Sequence, residues 1–138
     1  MKKLSLFFAV LFFVLSLNVN AQSKTGADYF AGKWNVLLIG LPNGDAKMLV
    51  ILDKKDSTLT GSIQDSTGKE ISKIQKIELI GDKATVYFTS QGYDVNLEMD
   101  KKDDDHITGS LMGMFDAEGE RVKEQKNLKS HKNDELIK

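Results

Sequence analysis

The sequence predicts an all-β domain: an eight-stranded antiparallel up-and-down β-barrel built from two similar four-strand halves, preceded by a cleaved signal peptide. Three observations carry this expectation. Apolar residues recur with a period of two, as where Tyr93, Val95, Leu97 and Met99 alternate with Asp94, Asn96, Glu98 and Asp100. Such alternation marks a strand with one buried face. Turn-forming clusters separate these runs at short intervals: Pro42-Asn43-Gly44-Asp45, Asp53 to Ser57, Asp65 to Gly68, Gly81-Asp82, Gln91-Gly92, Asp100 to Asp105, and Asp116 to Gly119. Finally, the chain repeats itself. Residues 52–63 read Leu-Asp-Lys-Lys-Asp-Ser-Thr-Leu-Thr-Gly-Ser-Ile, and residues 99–111 read Met-Asp-Lys-Lys-Asp-Asp-Asp-His-Ile-Thr-Gly-Ser-Leu. The offset is 47 residues before the turn and 48 after it, so the second turn is one residue longer.

Along the chain, residues 1–21 are expected to be a secretory signal peptide. Lys2 and Lys3 precede an apolar run from Leu4 to Leu17, and small residues at Val19 and Ala21 suit cleavage after Ala21. The run is short for a membrane anchor, which needs about 20 apolar residues. The expected location is periplasmic or secreted. Residues 22–126 are expected to form one domain, and 127–138 a polar, flexible tail. Without the leader the chain has seventeen cations against twenty acids, scattered along its length, with Arg121 the sole arginine. That balance does not support a nucleic-acid footprint. The absence of cysteine excludes disulfides and thiol chemistry.

Eight strands are expected, at about 33–40, 46–53, 58–64, 70–80, 83–90, 92–100, 106–115 and 119–126. The run Ile71, Ile74, Ile77, Leu79 breaks the alternation, which points to a bulge or to a helical turn at 70–75. Closure into a barrel removes unpaired edges, and eight strands leave an interior filled by side chains or holding one small ligand. The inward set is Trp34, Val36, Leu38, Met48, Val50, Leu52, Leu59, Ile63, Val86, Phe88, Tyr93, Val95, Leu97, Ile107 and Leu111. The first two strands are apolar on both faces. Leu37, Ile39, Leu49 and Ile51 therefore need cover, from the chain's own terminal segments or from a second copy.

The segment Tyr29-Phe30-Ala31-Gly32-Lys33-Trp34 resembles the start of a lipocalin (calycin) barrel, in which a short turn leads into Gly-x-Trp on the first strand. The resemblance implies structural roles for Gly32 and Trp34, with a basic residue of the last strand, here Arg121, packed over the tryptophan ring. The repeated aliphatic-Thr-Gly-Ser-aliphatic strands, carrying Gly61 and Gly109, also resemble avidin-like barrels and small lipocalin-like domains secreted by Gram-negative bacteria.

Catalytic chemistry finds little support. The two histidines, His106 and His131, lie in a turn and in the tail, and no Gly-x-Ser-x-Gly is present. Asp100, Asp103, Asp104 and Asp105 share a turn, but EF-hand spacing is missing and the first copy of the turn has only Asp53 and Asp56. No metal, cofactor, nucleic-acid partner or membrane anchor is expected. The expected function is an exported, non-enzymatic binding protein that holds a small apolar or amphipathic ligand in the barrel, with Trp34, Met48, Phe88, Tyr93 and Leu111 lining the site. Gly61 and Gly109 either leave room there or let the strands coil tightly. The alternative is a protein-interaction or homodimerising module acting through Leu37, Ile39, Leu49 and Ile51, with a filled interior.

Overall fold

The computed structural model describes residues 24–123. The expected leader, its cleavage point, the tail and the end of the last expected strand lie outside these residues. A five-residue helix, α1 (Gly26–Phe30), precedes nine strands: β1 (Gly32–Ile39), β2 (Ala46–Lys55), β3 (Thr58–Asp65), β4 (Glu70–Lys73), β5 (Lys76–Ile80), β6 (Lys83–Ser90), β7 (Tyr93–Lys101), β8 (His106–Leu111) and β9 (Phe115–Arg121). All pairings are antiparallel, in one sheet ordered β4-β3-β2-β1-β9-β8-β7-β6-β5. The first half runs 4-3-2-1 and the second runs 9-8-7-6, so the sequence repeat reappears as a repeat of strand order, with β5 added at one edge.

Two expectations are corrected here. The strands number nine among the described residues, and the sheet is not closed into a barrel: β4 and β5 are its outer strands. The cause lies in the irregular run at 70–80, which is neither a bulged strand nor a helical turn. It is two short strands with different neighbours. The amide of Ile74 still donates to Gly61 O on β3 (2.9 Å), while the next amide, Gln75, donates to Tyr87 O on β6 (2.8 Å). The chain changes partners across one peptide, and neither ladder continues through it. Because only Ile74 and Gln75 separate β4 from β5, the two edges lie within about 10 Å of each other along the connecting chain. The open sheet is thus curled, and its inner face forms a single core.

A second boundary also moves. The expected turn at Asp116 to Gly119 is inside β9, and the real turn is Met112–Met114, where Met112 (φ 57°) and Gly113 (φ 68°) are left-handed. Gly119 serves packing instead. A Cβ there would lie 2.6 Å from Ile107 Cγ1, so the inner face has no room for one.

The core contains Trp34, Val36, Leu38, Met48, Val50, Leu52, Leu59, Ile63, Val86, Phe88, Leu97 and Ile107 from the expected inward set. Ala84 and Met99, on the inward phase of their alternating strands, join it, as do Tyr29, Phe30 and Ala117. Val95 and Leu111 pack only partly against it. Tyr93 is corrected outright: it is 74% exposed. It follows the Gln91-Gly92 turn directly, so its inward phase comes before the sheet has curled over it.

Candidate functional site

Of the residues expected to line an internal ligand site, Trp34, Met48 and Phe88 are buried in the core, Leu111 is half-buried at its margin, and Tyr93 stands in solvent. Gly61 and Gly109 do not open space. A Cβ on either would lie 1.8 Å from a backbone oxygen, Ile51 O for Gly61 and Glu98 O for Gly109. Both glycines therefore let facing strands approach closely.

Trp34 belongs to a built floor at one end of the core. Arg121 is its cross-strand partner on β9, and the guanidinium carbon sits 4.2 Å from the tryptophan ring centre and 5.2 Å from that of Tyr29. A five-residue helix is too short to be stable alone and leaves carbonyls unsatisfied at its C-terminus. Here those carbonyls have partners. Trp34 Nε1 donates to Phe30 O (2.9 Å), and Arg121 donates from Nη2 to Tyr29 O (2.6 Å) and from Nη1 to Ala31 O (3.0 Å). Gly32, with φ 124°, makes the left-handed bend from helix into β1 and lies 3.4 Å (as Cβ) from Arg121 Nη1.

The two copies of the repeated turn clamp this helix from both sides. Lys54 forms an ion pair with Asp28 (2.5 Å), and that pair holds the Asp28 carboxyl below its ordinary range. Lys101, the equivalent lysine 47 positions on, lies 4.7 Å from the Tyr29 ring centre and donates to Lys24 O (2.8 Å). The longer second turn supplies further acceptors: Tyr29 Oη donates to Asp103 O (2.6 Å) and His106 O (3.0 Å), and Arg121 donates to Asp104 O. Amide donation from Asp105, then the contact of Asp103 Oδ1 with His106 Nδ1 (2.8 Å), holds the Asp103 carboxyl low. The four-acid turn is thus a backbone receptor for Tyr29 and Arg121; of its carboxylates Asp103 is engaged within it, Asp100 lies 3.7 Å from Lys83, and Asp105 lies 3.6 Å from Arg121 and 3.4 Å from Lys123. Among the described residues no group of three or more acids and histidines is placed to hold a metal ion.

Burial pushes the Tyr29 hydroxyl up to about 12, opposed by Arg121 and reinforced by the nearby aspartates. The folded protein therefore holds this proton more tightly than the unfolded chain. Its contribution to stability is complete below about pH 10 and is lost as pH rises toward 12. In urea titrations across this window the wild-type protein is expected to weaken more steeply than Tyr29→Phe. At neutral pH the variant is expected to cost about 0.5–1.5 kcal/mol, since the part-buried Asp103 O loses this donor while His106 O keeps the amides of Lys102 and Asp103. Parallel pH profiles for the two proteins would refute the assignment.

The other constructed feature is a groove on the outer face of β1, β2 and β9, with a volume of about 600 Å³. Its floor carries Leu37 and Leu49, outward on their strands and half-buried. Asn35, Lys47, His106, Glu118 and Glu120 surround them, and the 65–69 turn stands at one side with Asp65, Ser66 and Gly68. That turn is rigid in construction. Asp65 Oδ1 accepts from Thr67 Oγ1 (2.5 Å), Thr67 N (2.9 Å) and Lys69 N (3.1 Å), and the Thr67 hydroxyl chiefly holds its carboxyl below the ordinary range. Ile39 and Ile51, also outward and half-buried, extend the apolar strip beyond the groove. The sequence signal for this site was the pair of strands apolar on both faces; nothing local marked Glu118 and Glu120 as its edge, because β9 joins β1 only through the long-range pairing. No helix among the described residues is long and apolar enough to cross a membrane. No family model matches the chain, and no curated protein sequence matches it.

Proposed function

We propose that this is an exported, non-enzymatic binding protein whose small amphipathic ligand sits in the outer groove over β1, β2 and β9, not in the core. The observation that carries the proposal is the groove itself: about 600 Å³, an aliphatic floor of Leu37 and Leu49, and polar side chains converging from four strands and one turn. The size falls in the range of ordinary small-molecule sites, and the floor is apolar as theirs is, while the rim is more polar. Export rests on the leader-like residues 1–21. A lipocalin-like carrier role is retained in kind, with the ligand moved outside, because Trp34, Met48 and Phe88 are fully engaged in the core.

The test uses a neutral solvatochromic probe such as Nile red. Binding is expected to weaken ten-fold or more in Leu49→Lys, since a leucine contact contributes about 1.5–3 kcal/mol when buried. Phe88→Ala is expected to lower stability and leave probe affinity unchanged. The opposite pattern would return the ligand to the core and end the groove proposal. A second reading draws on Ile39 and Ile51, which with Leu37 and Leu49 make an apolar outer strip that a second copy of the chain would cover in a homodimer. Sedimentation separates the two: Leu49→Lys would then convert a dimer to a monomer.

A further inference from the structure

We infer that the groove selects ligands that carry a positive charge beside an apolar body. This rests on the groove being the ligand site, and it follows from how charge is distributed around the aliphatic floor. The outward positions of β9 are Asp116, Glu118 and Glu120, all exposed and two residues apart. Side chains so placed stand about 7 Å apart along one face. Their cross-strand neighbours neutralise none of them. On β1 they face Ile39, Leu37 and Asn35, and on β8 they face Ser110, Thr108 and His106. The His106 imidazole is engaged with Asp103.

Two outward acids elsewhere in the sheet have a lysine beside them, Glu78 with Lys76 at 2.6 Å and Glu98 with Lys83 at 3.6 Å, whereas Asp53 and Asp94, each without a second acid two residues away on its strand, have no ion pair among the described residues. Among the described residues Glu118 and Glu120 have no ion pair. Within the groove, Asp65, Glu118 and Glu120 oppose the single ammonium of Lys47. An aliphatic strip beside an unneutralised carboxylate row complements an amphipathic cation. Such a ligand lays its apolar part on Leu37 and Leu49 and its charge against β9. An anionic amphipath gains the same apolar contact but meets like charge.

Calorimetry with two probes of equal chain length tests this: decyltrimethylammonium and decyl sulfate, each below its micelle concentration at low ionic strength. The cation is expected to bind about ten-fold more tightly. Glu118→Gln and Glu120→Gln, isosteric and exposed, are each expected to cost the cation roughly two- to five-fold and to leave the anion no weaker. Added salt is expected to erode the preference. Equal affinities for the two probes, or a cation affinity indifferent to both substitutions, would overturn the charge selectivity and leave the groove standing. Failure of both probes to bind, or binding indifferent to Leu49→Lys, would overturn the groove as well.

Discussion

Gly61→Ala and Gly109→Ala are each expected to destabilise the protein by about 3 kcal/mol or more, at the upper end of what overpacking costs. The added methyl has no path of escape. It would lie 1.8 Å from a carbonyl oxygen of the facing strand, Ile51 O in one half and Glu98 O in the other. A clashing side chain can change rotamer, but a backbone oxygen moves only with its strand, and both strands belong to the sheet that encloses the core. Gly61 is expected to show the larger effect. Ile74 Cδ1 lies a further 3.3 Å from the same position, and Ile74 N bonds Gly61 O where the chain leaves β3 for β6. For a domain of this size, 1 kcal/mol shifts the melting temperature by about 4–8 °C. Thermal unfolding followed by circular dichroism should therefore fall by more than about 10 °C for either variant, with Thr60→Ala on the solvent face as a near-neutral control. Melting within a few degrees of wild type would show that the close approach at the two hairpins is not tight.

Trp34→Ala is expected to cost about 3–5 kcal/mol, the range for removing a large buried aromatic. Trp34 has no exposed surface and does three things at once. It fills the floor of the core, donates to Phe30 O, and presents its ring to Arg121. Alanine leaves a cavity, an unpaired helix carbonyl and a guanidinium over a void. Trp34→Phe keeps a ring and loses only the N–H, so its penalty should be smaller. Arg121→Lys retains charge but cannot span Tyr29 O, Ala31 O and Asp104 O together, and about 1–3 kcal/mol is expected. Urea unfolding measures all three. As Trp34 is the only tryptophan, its emission reports directly on the floor in the arginine variant. An unchanged unfolding midpoint in Trp34→Ala would remove the floor as a stabilising unit.

The legible parts were those written in local chemistry. Alternation in Ala84–Thr89 and Tyr93–Asp100 identified strands and their inward faces because successive side chains must point to opposite sides of the pleat. Two misread positions share one cause: a residue type that serves two opposite purposes. Gly119 resembled a turn glycine and is a packing glycine, while Met112 looked like a strand residue and adopts a left-handed turn. Ile71, Ile74 and Ile77 suggested one irregular strand, since nothing local records that Ile74 and Gln75 bond to opposite ends of the sheet. The groove was half legible. Leu37, Ile39, Leu49 and Ile51 announced an apolar outer face, but the β9 acids beside them lie some seventy to eighty residues away in the chain.

Strand periods, the duplicated hairpin and the aliphatic excess on the first two strands belong to the sequence alone, because each depends on side chains a few residues apart. The open, curled sheet, the pairing of β1 with β9 and the assembly of helix, tryptophan and arginine into a floor belong to the tertiary structure. These depend on which edges meet and on carbonyls that find donors only after the chain has folded back on itself.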